Sequence, residues 1–108
     1  MQTSYEKRFE TQPEQKFLGK YGRMRKQYLQ EHRPIVWNQM VMEGSLFPHL
    51  YEVDHAAYER LDQMIPALAK TAGATEALKA ADPMKWVGLM NVCKAQAEEV
   101  ILKELIYI

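Results

Sequence analysis

From Leu18 to Ile108 apolar residues recur every three or four positions. No stretch alternates apolar and polar residues as a half-buried strand does, and no Asn-Gly or Asp-Gly hairpin signal separates β-branched runs. This period confines the chain to an all-α fold. It is clearest near the end, where Trp86, Met90, Cys93, Ala97, Ile101 and Leu105 form one stripe, while Lys85, Gly88, Asn91, Glu98 and Glu99 fall largely elsewhere.

Stop and start signals cut the pattern into segments. A first helix begins after Gly19 or Gly22, each of which weakens a helix interior, and ends before Pro34. Pro34 suits the first turn of a second helix, terminated by Gly44. Ser45 can cap a long third helix with apolar residues at 47, 50, 57, 61, 64, 65 and 68, in which Pro66 is expected to introduce a kink or shift the last turn. Gly73 closes it, Thr75 caps a short fourth helix, and Asp82-Pro83 opens the last.

The expectation is a compact bundle of four to five helices over residues 18–108, one domain in a chain of 108. Residues 1–17 mix Glu, Gln, Lys and Thr around Pro13 without a period and read as a flexible N-terminal arm. The lone Cys93 forms no intrachain disulfide, and one cysteine with three scattered histidines makes no structural zinc site. No apolar run is long enough to span a bilayer and the N-terminus has no hydrophobic signal core. A soluble cytoplasmic protein without cofactors is expected.

The chain carries no formal net charge, but its charges are segregated. Residues 1–33 hold eight Lys and Arg against four Glu, a net of +4, and residues 34–108 hold six against ten, a net of −4. On the first helix, at about 100° per residue, Lys20, Arg23, Lys26, Gln27 and Gln30 share one side, with Arg33 just beyond. Lys and Arg neutralise phosphates, and Arg and Gln suit base edges, so this face is a candidate nucleic-acid contact; a protein partner or a merely solvated face are the alternatives. Arg25 falls on the opposite, apolar side, where a guanidinium needs a carboxylate. Asp54 is the expected partner in a bidentate structural ion pair, with Glu52 or Asp62 as substitutes.

Catalytic signals are weak. Glu52-x-x-His55, flanked by His49 and Glu59, has the spacing of a metal-binding helix motif, but the final helix offers Glu98, Glu99 and Glu104 without a histidine to complete such a site. Cys93 sits mid-helix on the apolar stripe, and there is no phosphate loop or nucleophile elbow. A non-enzyme is expected, with no catalytic or metal-binding residues; a metal site around Glu52 and His55 is the weak alternative.

Three stretches, YGRMRKQYLQEHRP at 21–34, LFPHLYEVDHAA at 46–57 and LKAADPMKWVGLMNVCKAQAEEVILKELIY at 78–107, together resemble the transposon-encoded TnpV family of small proteins. The family's signature parts are YG.MRK.YL.EHRP, HL.E.D and MKWV..MN.......E....ELIY. The resemblance implies a protein carried by transposons and integrative conjugative elements of Gram-positive bacteria, with no established enzymatic role and no established binding residues. Two roles fit that setting. One is a non-catalytic accessory or regulatory protein contacting DNA, alone or in a nucleoprotein complex, with Lys20, Arg23, Lys26 and Arg33 on phosphates and Gln27 and Gln30 nearest the bases. The other is a protein-binding inhibitor or adaptor, docking on a recombinase or on a host defence complex such as CRISPR.

Overall fold

The computed structural model describes residues 18–108; the arm expected over residues 1–17 lies outside them. Five α-helices follow in chain order and no strand occurs among the described residues: α1 (Lys20–His32), α2 (Pro34–Glu43), α3 (Leu46–Ala72), α4 (Glu76–Ala81) and α5 (Pro83–Ile101). A π-helical turn, Leu102–Ile106, continues α5.

The punctuation acts as its chemistry dictates. Arg33 alone separates α1 from α2, its N–H closing α1 on the Leu29 carbonyl at 3.0 Å and its own carbonyl taking the Trp37 N–H at 2.9 Å. Pro34, which has no N–H, occupies the first turn of α2. Gly44 ends that helix at φ 74°, and Gly73 ends α3 at φ 83°, both in the left-handed region. The two ends share one paired closure. Gly44 and Ser45 donate to Val41 and Met40, while Gly73 and Ala74 donate to Lys70 and Ala69. The Thr75 hydroxyl accepts the Leu78 N–H at 3.1 Å and Asp82 Oδ1 accepts the Lys85 N–H at 3.2 Å, so α4 and α5 are both side-chain capped. Pro66 lies within α3, which runs on to Ala72.

Within the span expected to form one domain, contacts group into two compact units, and the boundary between them falls inside α3, after His55. In the first, Leu29, Leu46 and Leu50 form a buried cluster packed by Leu18, Val36, Trp37, Met40 and Phe47. These residues come from both edges of the α1–α2 corner and the start of α3. In the second, Ala57, Leu61, Ala69, Cys93, Ala97, Ile101 and Ile106 are buried, and Arg60 Nη2 meets Glu104 Oε1 at 2.7 Å on the surface.

The end of the stripe departs from expectation. Leu105 is half-buried and Ile106 fully buried. The cause is the π turn, in which the Tyr107 N–H reaches the Leu102 carbonyl at 2.8 Å. Its wider i→i+5 winding carries the inward face from Ile101 to Ile106 instead of Leu105.

Candidate nucleic-acid interface

The basic face rests on how α1 is anchored, and its anchor is Asp54. Gly19 stands at the N-cap of α1 and has no side chain to satisfy the first N–H groups. Asp54, from α3, supplies the missing acceptor: Oδ2 takes the Gly19 N–H at 3.2 Å and Oδ1 the Gly22 N–H at 2.8 Å. A carboxylate at the positive end of the helix dipole is favourable on both counts. Both glycines make room for it. A Cβ at Gly19 would lie 2.7 Å from Asp54 Oδ2, and one at Gly22 would lie 3.1 Å from Asp54 Cβ and 2.5 Å from Leu18 Cδ1.

This corrects the expected ion pair. Arg25 and Asp54 are both buried, at 8% and 9% exposure, in the same unit, but no salt bridge joins them. Backbone donors at the start of α1 take the carboxylate. Arg25 instead directs Nε at His49 Nε2, 3.2 Å away, and lies 5.8 Å from the centroid of the Tyr28 ring. Burial, and then the neighbouring Arg33, lower the Arg25 pKa, while Tyr28 opposes them; an arginine nevertheless keeps its charge.

Accepting from Arg25 requires His49 Nε2 to be unprotonated. Burial first, and then the Arg25 charge, lower the His49 pKa against the opposing pull of Glu52. A histidine whose native pKa lies below its unfolded value binds more protons when unfolded. Its contribution is complete above the ordinary value of about 6.5 and is lost as pH falls from there through the native pKa. In urea melts, the stability advantage of the wild type over His49→Gln should therefore shrink as pH falls from about 7 to about 5. Gln offers the same guanidinium an acceptor that does not titrate, and a difference independent of pH would rule the contact out.

With Tyr21, Gly22, Arg25 and Leu29 facing inward, the opposite side of α1 is presented to solvent. Lys20, Arg23, Gln27, Gln30 and Arg33 are exposed; Lys26 is half-buried. Several are already engaged locally. Arg23 Nη1 donates to the Leu18 carbonyl at 2.8 Å, the Lys26 ammonium sits 5.5 Å from the Phe47 ring centroid, and Gln27 Nε2 donates to Glu31 Oε2 at 3.0 Å. Glu31 places one negative charge among four positive ones, and ties up Gln27, one of the two amides expected nearest the bases. Gln30 and Arg33 carry no such contact among the described residues.

The metal alternative gains no support from the geometry. Glu52 and His55 are exposed, His49 is turned to Arg25, and no group of three or more His, Cys, Asp or Glu able to hold a metal ion occurs among the described residues. Cys93 is buried on the inward side of α5. An open groove of about 360 Å³ lies between the end of α2 and the start of α3, lined by Met40, Val41, Gly44, Leu46, Phe47 and Pro48. None of these side chains carries a polar group suited to bind or turn over a polar substrate.

These features describe a small all-α protein of a mobile element, for residues 8–106 match the model of the family described as transposon-encoded protein TnpV. The chain belongs to the TnpV family, over nearly its whole length. The match starts inside the segment expected to be an arm. No curated protein and no solved structure matches the chain. No helix among the described residues is long and apolar enough to cross a membrane.

Proposed function

We propose that this transposon-encoded protein is a non-catalytic accessory or regulatory protein of its element, acting in the cytoplasm by DNA contact through the basic face of α1. The observation that carries the reading is the two-sidedness of that helix. Its inner side is fixed by Asp54 and Leu29, and its outer side holds Lys20, Arg23 and Gln30 exposed, with Arg33 at its end. Cations held on a rigid element meet phosphates without first having to be ordered.

Affinity for duplex DNA should fall with salt at a log–log slope of about −0.9 per phosphate contacted. Replacing Lys20, Arg23 and Lys26 together by Gln should make that slope shallower by roughly two to three units. Anisotropy titrations across salt, on random and element-end duplexes, measure both. A specific reader should favour element-end sequence by at least about a thousandfold. Absence of binding at about 50 mM salt, where phosphate contacts are strong, would sink the proposal. Capture of a recombinase or nuclease complex, lost in the triple variant, would assign the face to the protein-binding alternative.

A further inference from the structure

The groove between the end of α2 and the start of α3 is open to water. Val41, on its wall, is 51% exposed, and Gly44, which also lines it, has nothing within 4 Å of where a Cβ would stand. Its lining residues Met40, Leu46 and Phe47 belong to the Leu29–Leu46–Leu50 cluster or pack on it. Leu18, the first described residue, packs on the same cluster. The chain ahead of Leu18 therefore joins the first unit on the cluster that backs the groove, and it brings three aromatic residues, Tyr5, Phe9 and Phe17.

We infer that the groove is filled by the chain's own N-terminal segment, with the Phe9 ring seated against Met40, Val41 and Phe47. Three observations select Phe9 among the aromatics. The first is reach. The Gly19 N–H is held by Asp54 at 3.2 Å, and Asp54 stands seven residues along α3 from Phe47, which is about 10 Å of helix. An extended chain covers at most about 3.6 Å per residue. Phe17, two residues before Gly19, therefore commands about 7 Å of backbone and falls short, whereas Phe9, ten residues before it, commands about 36 Å. The second is polarity: Tyr5 would carry a hydroxyl into a groove with no polar side chain on its walls, a cost that a phenyl ring does not bring. The third is extent, because the stretch matched to the TnpV family begins at residue 8, taking in Phe9 and leaving out Tyr5. Removal of the ring and the groove walls from water drives the docking, and ordering of the residues between Phe9 and Leu18 opposes it, so the contact is reversible. One consequence rests on the DNA reading: Lys7 and Arg8 are brought to the groove, where Lys26 already lies over Phe47, and so extend the basic face.

The test uses the full chain without DNA, in a Cys93→Ala background that removes the one natural thiol. Glu10→Cys retains Phe9 and sets a thiol next to it in the chain. It is paired with Val41→Cys on the groove wall, or with Met42→Cys, one residue on, 87% exposed and outside the groove. The two tethers are nearly equal, so an undocked segment oxidises to both positions at nearly the same rate. Docking through Phe9 should favour Val41→Cys by at least about tenfold, with a monomeric product on a non-reducing gel. Phe9→Ala should remove the preference and Tyr5→Ala should leave it. A second measurement keeps the buried Cys93 in place: the labelled methyl signal of Met40 should shift in Phe9→Ala, while that of Met84, 82% exposed in the second unit, should not. Equal rates at 41 and 42, a preference that survives Phe9→Ala or disappears in Tyr5→Ala, a cross-linked dimer in place of the monomer, or a Met40 signal unmoved by Phe9→Ala would each overturn the inference. None of these results depends on whether α1 binds DNA.

Discussion

Asp54→Ala is expected to destabilise the fold by about 2 to 4 kcal/mol, through a helix end and not through a lost ion pair. Its carboxylate takes two N–H groups at the start of α1, one from Gly19 and one from Gly22. Losing a helix cap costs typically about 1 kcal/mol and up to about 2; hydrogen bonds to a charged acceptor are worth more than neutral ones, and donors stranded away from water add their own penalty. Asp54→Asn, which keeps an acceptor but no charge, should fall between wild type and Ala. The companion test has an unusual sign. Alanine ordinarily stabilises a helix interior over glycine by about 1 kcal/mol, yet Gly22→Ala should destabilise, because its Cβ would meet Asp54 Cβ at 3.1 Å and Leu18 Cδ1 at 2.5 Å. Urea unfolding with unchanged m-values would measure all three variants. A stabilising Gly22→Ala would show that α1 and Asp54 do not approach so closely.

The same contact shows where the sequence was legible. Helix boundaries followed from Pro34, Gly44, Gly73, Thr75 and Asp82, because each acts through its own backbone or its own short side chain. Leu50, Ala57, Leu61, Cys93, Ala97 and Ile101 followed from a 3.6-residue period. The same period places Asp54 and Arg25 inside but does not name their partners. A pattern of side chains pairs charge with charge, whereas the donors that reach Asp54 are main-chain groups with no letter in the sequence. The available signal was Gly19 and Gly22, two poor helix formers within a helix-starting stretch. Besides punctuating the chain, they admit a carboxylate from another helix. Likewise Lys26 and Gln27 share a face with Arg23 by angle, but their ties to Phe47 and Glu31 depend on packing and rotamers that angle does not encode.

The signature stretch thus divides between two jobs. Tyr21, Gly22, Arg25 and Leu29 are buried, and their counterparts His49, Leu50 and Asp54 lie on α3, so these residues of the stretch hold α1 in place. Lys26 is half-covered, while Glu31, His32, Arg33 and Pro34 are exposed at the turn into α2.

At the other end of the chain, Ile106→Ala should cost about 2 to 5 kcal/mol and Leu105→Ala less than half as much. An uninterrupted α-helix predicts the reverse, since Leu105 lies four residues after Ile101 and continues its stripe. The Tyr107–Leu102 hydrogen bond adds one residue to the final turn, and with it the fully buried position passes to Ile106. Truncating a side chain with no exposed surface removes its transfer free energy and leaves a cavity, while truncating a half-exposed leucine loses part of the first and little of the second. Paired urea melts of the two variants read the local winding directly. Equal losses, or the larger loss at Leu105, would mean that the helix ends in ordinary α geometry and that the stripe continues as its spacing suggests.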